Sequence, residues 1–172
     1  MPDILAEIRS WKGKPAALNE RLVGMVANDR SLVQAIFKAM DAGNDKEKGV
    51  CLEVLEAVTA KHPDWCAGRL PAVIKFIDHK APRVKWESSR VVANLAPKYP
   101  QEAAKAIPML LANTSDKGTV VRWSAAFALG EIMKHNETER KSLLAKIEVI
   151  LKKEQNNGVR NVYLKAMKTV GR

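Results

Sequence analysis

Two tryptophans, Trp86 and Trp123, sit in matching surroundings, VKWESSRVVANL (84–95) and VRWSAAFALGEI (121–132). Four residues after each comes a side chain able to hold a partner, Arg90 in one case and Phe127 in the other. Lys165 takes that same place in a third matching stretch, VRNVYLKAMKTV (159–170). Aromatic rings beside long cationic side chains do binding chemistry: they bury area, stack, and pair with anionic groups. Phe127 is the most telling of them, since nothing in the pattern asks for a packed ring there. Helical spacing puts Glu87, Asn94 and Glu131 on the same face. The candidate partner-binding set is therefore Trp86, Glu87, Arg90, Asn94, Trp123, Phe127, Glu131 and Lys165. Packing between helices is the competing role for Trp86 and Trp123.

Catalytic chemistry has no comparable footing. There is no nucleophile with a histidine and an acid at suggestive spacing, no glycine-rich phosphate loop and no metal-binding pair of histidine and glutamate. Cys51 and Cys66 make no disulfide framework and read as buried thiols. His62, His79 and His135 fall near helix ends, where capping or solvation is their expected role. The reading is no catalytic residue, no metal, no cofactor, and not an enzyme.

The three stretches recur every 37 to 38 residues, with a weaker fourth copy in EKGVCLEVLEAV (47–58). A fixed period of that length marks a stack of helical units. Apolar residues at positions one, five, eight, nine and twelve, with Glu47 and Ser88 the exceptions, follow helical spacing and make one wide face of a helix. Small residues at positions five and six (Ser88, Ser89, Ala125, Ala126) let neighbouring helices approach closely. Each such inner helix follows an outer one: 31–40, 67–77, 102–112 and 142–151. Pro71 and Pro108 share one repeat position, which implies a tolerated kink or a late helix start. Gly43-Asn44, Lys117-Gly118 and Asn156-Asn157-Gly158 read as turns in which glycine or asparagine takes positive φ. Segments 2–10 and 15–28 fit the period poorly and read as a helical cap.

These motifs resemble the HEAT family, in particular the short HEAT-like repeats of phycobilisome lyases. VRWSAAFALGEI is similar to that family's Val-Arg-aromatic-x-Ala-Ala-x-Ala-Leu-Gly signature, and the resemblance covers about residues 30–171. It implies an all-α fold, a right-handed α-α superhelix (HEAT-like solenoid). About four helical hairpins (30–62, 63–99, 100–136 and 137–172) would follow an N-terminal cap (1–29), in a single domain, 1–172. It implies that the inner helices line a concave surface. It also implies a structural ladder of turn acids and bases: Asp41 with Lys48, Asp78 with Lys85, Asp116 with Arg122, Glu154 with Arg160. Lysine in two of these rungs lacks the planar fork of arginine, so those rungs are expected to be looser. The first copy departs most, with Glu47 and Gly49 where the others carry valine and mostly tryptophan.

The formal charge is +10, and the excess lies beyond residue 60. Such an imbalance favours anionic partners without naming one. No apolar run approaches the roughly 20 residues of a membrane span, and MPDILAEIRSWKGK lacks the features of a signal peptide, so the expected location is cytoplasmic. The expected function is a scaffold holding a protein partner against the inner helices. Nucleic-acid binding through the basic face is the alternative, with an alkylpurine DNA glycosylase-like enzyme as its less favoured version. An assembly subunit is a third reading, and oligomeric state is left open. Trp11 and Trp65 are expected to pack the cap and the joint between repeats.

Overall fold

A computed structural model describes residues 1–171; Arg172, the last residue of the expected final repeat, lies outside the described residues. Among the described residues the chain forms α-helices, one short 3₁₀ turn and no strand. The helices are α1 (Ile4–Ser10), α2 (Pro15–Asn28), α3 (Leu32–Ala42), α4 (Asp45–Lys61), α5 (Leu70–Ile74), α6 (Pro82–Leu95), α7 (Pro100–Ala104), α8 (Ile107–Asn113), α9 (Thr119–His135), α10 (Glu137–Lys153) and α11 (Asn157–Thr169). They gather into two compact units, Met1–Gly68 and Arg69–Arg172. No helix of the described residues is long and apolar enough to cross a membrane.

In the first unit α3 packs on α4, while α1 and α2 cover the pair. Leu22, Ile36, Met40, Leu52 and Leu55 are wholly removed from water and form its centre. Asn44 caps α4 reciprocally: its side chain accepts the Glu47 N–H at 3.0 Å, and the Glu47 carboxylate accepts the Asn44 N–H at 2.9 Å. The same carboxylate accepts two bonds from Arg9 at the end of α1, at 2.8 and 3.2 Å. The residue that broke the repeat pattern thus ties α1 to the first hairpin. Trp11 closes its own turn by donating to the Lys14 carbonyl at 3.1 Å. Trp65 stacks on His62, with ring centroids 4.2 Å apart and Arg30 near the same ring.

In the second unit α9 is the central helix, packed against α6, α8, α10 and α11. Val84, Val121 and Val159, the first positions of the aligned windows, are all buried, as are Val91, Ala128 and Ala166 eight positions in. Ser88, Ser89, Ala125 and Ala126 are buried too. The two serine hydroxyls donate to backbone carbonyls one turn back, so neither costs an unmet donor. Closer still is Gly130, where an added Cβ would lie 2.9 Å from the Ala166 Cβ. Asn113 and Asn136 staple successive hairpins, donating to the carbonyls of Ile77 (2.8 Å) and Pro100 (3.0 Å).

Two expectations need correction, and one pair of alternatives is decided. The outer segment 67–77 is helical only over Leu70–Ile74, and 102–112 is divided between α7 and α8. Pro71 and Pro108 each stand second in their helix, where the missing N–H breaks no bond; this is a late start, not a kink. The turn glycines do not take positive φ: Gly43 has φ −76°, and no asparagine adopts that region either. Gly43 is required by proximity, since a Cβ there would come within 2.8 Å of the Glu47 Cβ and 2.9 Å of the Ala39 carbonyl. The neighbouring asparagines work as N-caps of the following helices.

Candidate functional site

The open face of α9 and α11 carries a groove of about 280 Å³. Its floor is made by Trp123 and Phe127, one turn apart on α9, with ring centroids 5.5 Å apart and planes tilted by 35°. Trp123 is 36% exposed, an unusual state for so large a ring, and Phe127 is half-buried. Gly130 and Ala166 line the groove where α9 and α11 come closest, an added Cβ on Gly130 lying 2.9 Å from the Ala166 Cβ. Lys165 lines the far wall and is exposed. Glu131 faces the groove but is already engaged, by Lys134 one turn on and by His135 Nε2 at 3.6 Å.

Four of the eight candidates therefore converge: Trp123, Phe127, Glu131 and Lys165. Trp86, Arg90 and Asn94 lie half-buried on α6 and take no part in this groove. The Trp86 indole donates to the Glu87 carboxylate at 3.1 Å. Glu87 was expected on the open face and is not there, being 5% exposed. The cause is its window position: the fourth place turns into the helix–helix seam, and the equivalent Ser124 on α9 is fully buried as well. Lys134, Val162 and Thr169 also line the groove. Val162 and Thr169 hold the fourth and eleventh positions of the window 159–170, while Lys134 lies two residues beyond the aligned window 121–132, outside the repeat pattern.

The ladder residues pair differently from the within-turn order in the sequence. Lys85 reaches forward to Asp116 at 2.9 Å, and Arg122 reaches forward to Glu154 at 2.9 and 3.4 Å. Each acid is turned that way by its own turn, for Asp116 also accepts the Gly118 N–H (2.7 Å) and Glu154 the Asn156 N–H (2.9 Å). The bases, in turn, hold their own turn by its carbonyls. Arg122 donates to the Asp116 and Lys117 carbonyls at 3.0 and 3.3 Å. Arg160 donates to those of Glu154, at 2.9 Å, and Leu151. Asp78 is exposed and has no ion pair among the described residues. Lysine makes a one-point rung and arginine a two-point one, as their head groups dictate.

Electrostatics follow this geometry. Burial pushes the Asp116 carboxyl up, but the Gly118 N–H and Lys85 outweigh it and leave it below the usual carboxylate range. Burial acts likewise on Glu154, and Arg122 with the Asn156 N–H brings it down. The Arg9 guanidinium, then the Asn44 N–H, hold Glu47 low. These are signatures of structural ion pairs rather than of a group poised for proton transfer. Cys51 is buried, and burial pushes its thiol up to about 12. Among the described residues no cluster of side chains could hold a metal ion.

No known family profile and no curated protein matches this chain. Solved structures do match. A designed armadillo repeat protein in complex with the peptide (KR)4 superposes with a TM-score of 0.73 at 14% identity, over 97% of this chain and 80% of its own. A second designed armadillo repeat protein gives 0.72 at 18% identity, over 89% of this chain and 69% of its own. The complex of CpcE and CpcF of phycocyanin lyase from Nostoc sp. PCC7120 gives 0.72 at 19% identity, over 95% of this chain and 97% of the matched one. Identities this low speak for architecture alone. With its period of 37 to 38 residues, buried window valines and forward-reaching rungs, this chain has the all-α helical-repeat fold of armadillo and HEAT-like solenoids.

Proposed function

We propose that the chain is a non-catalytic protein-binding module that holds a partner segment in the groove between α9 and α11. The observation carrying this is the Trp123–Phe127 floor, a pair of rings partly open to water on a helix whose other face is fully packed. Aromatic anchors in a preformed groove are where binding energy concentrates. Glu131 is met by Lys134 and His135, whereas the Lys165 ammonium has no acidic partner among the described residues. A fitting segment brings an apolar side chain to the rings and a carboxylate to Lys165. The basic peptide held by the designed armadillo protein is the opposite in sign, and a net charge of +10 disfavours it here.

The test is affinity capture from the native cell, comparing the wild type with Trp123→Ala/Phe127→Ala. The double variant is expected to keep its helical circular dichroism and lose the captured partner. Retention of the same partner overturns the reading. So does unfolding of the double variant, because the rings would then be core. The net charge favours a second reading, nucleic acid as the ligand, with the phosphates met by lysine and arginine and the bases by Trp123 and Phe127.

A further inference from the structure

A second surface lies on the outer helices, away from Trp123 and Phe127. Between α8 and α10 runs an apolar groove of about 450 Å³, which includes Leu111, Ala145, Val149 and Ile150. Thr114, Val149 and Ile150 are shared with a neighbouring polar recess of about 440 Å³ at the end of α10. Val149 is 52% exposed on this floor. The polar recess is largely self-satisfied: Arg122 is paired with Glu154, Asp116 with Lys85, and the Thr114 hydroxyl donates to the Leu111 carbonyl at 2.6 Å. Two groups are not. Lys146 and Lys153 stand on the groove at its two ends, with no acidic partner among the described residues.

We infer that this groove is a docking site for a short segment of a partner protein in which apolar residues are flanked by acidic ones. Lys146, Val149, Ile150 and Lys153 follow the i, i+3, i+4, i+7 spacing of one helix face, so two cations bracket two apolar side chains. Seven residues of helix set the lysines about 10 Å apart. A segment in the polyproline II conformation covers about that distance in three residues and brings its first and fourth side chains back to one side. The complementary pattern is acid, apolar, apolar, acid. The apolar pair covers Val149 and Leu111, and the carboxylates meet the two ammonium groups. Nothing in this site depends on the groove between α9 and α11, so the chain can hold two segments at once.

The experiment titrates the full ¹⁵N-labelled chain with a glycine-flanked Glu-Leu-Leu-Glu peptide at millimolar concentration, the range suited to so small a contact. Saturable shifts are expected at the amides of Leu111, Val149 and Ile150. Val149→Ser and Lys146→Glu/Lys153→Glu should each weaken them by about tenfold or more, with circular dichroism unchanged because all three residues are exposed. Trp123→Ala/Phe127→Ala should leave these shifts in place, which separates this site from the inner groove. A Lys-Leu-Leu-Lys peptide should not bind. Absence of saturable shifts at these amides, equal binding of the lysine peptide, or indifference to Val149→Ser overturns the inference. A Val149-dependent dimer in light scattering would also overturn it, by assigning the groove to a second copy of the chain.

Discussion

Glu47, in the first turn of α4, takes up three donors: two from Arg9 of α1 and one from the Asn44 backbone, with its side chain 7% exposed. Replacing one oxygen by an amide leaves a donor facing donors. Glu47→Gln should therefore lower stability to urea by about 1–3 kcal/mol, the usual cost of breaking a charge-assisted hydrogen bond in a buried place. The pH dependence has a definite sign. Glu47, Asp116 and Glu154 all sit below their ordinary values in the folded chain. A depressed acid contributes stability that is complete above its unfolded value and vanishes as pH falls through its folded one. The urea midpoint should hold steady from about pH 7 to pH 5 and decline once pH drops below about 4, the unfolded carboxylate range. Glu47→Gln should make that decline shallower. A midpoint that rises on acidification contradicts the ion-pair account. Both Glu47 and the groove lysine Lys134 were poorly served by the repeat pattern, one as a departure from it and one as a position outside it.

At the scale of elements, the closeness of α9 and α11 rests on a single missing Cβ. Gly130→Ala ought to help an isolated helix by about 1 kcal/mol. In this fold it sets two Cβ atoms 2.9 Å apart, and neither can swing aside, since each is fixed to its backbone. Overpacking of that kind costs about 1–3 kcal/mol, so the net effect should be a loss. The companion change Ala166→Gly should restore the space. Chemical denaturation of the two single variants and the double one should reveal a favourable coupling of about 1 kcal/mol or more. A Gly130→Ala chain more stable than the wild type would show that the helices are not in that contact. The inner helices were legible because burial repeats with the helical period. The outer ones were less so, because Pro71 and Pro108 end continuity and because short helices such as α5 and α7 leave too few turns to show a period.

At the scale of the whole molecule, a charge of +10 draws polyanions whether or not any site is built for them. Association with DNA is expected at low salt. It should fall steeply on raising salt to about 0.15 M, as counterion release requires. Under the protein-binding reading, Trp123→Ala/Phe127→Ala leaves this association unchanged. Should the double variant abolish single-strand binding at the higher salt, stacking on the rings is part of recognition and the nucleic-acid reading replaces the other. Fluorescence anisotropy of a labelled strand at two salt concentrations decides between them.

The amino-acid order alone determined the all-α class, the repeat length, the inner helices and the rings that carry the binding reading. Each of those depends on spacing along one chain, and a spacing that recurs can be read directly. Which acid meets which base, by contrast, was decided in three dimensions. Asp116 and Glu154 are aimed by their own turn amides toward Lys85 and Arg122, 31 and 32 residues earlier in the chain. The same is true of Glu87, whose place on an outward-looking position was overruled by the seam it turns into. Long-range pairing and the width of a groove depend on how one helix is rotated against the next, and no single helix encodes that angle.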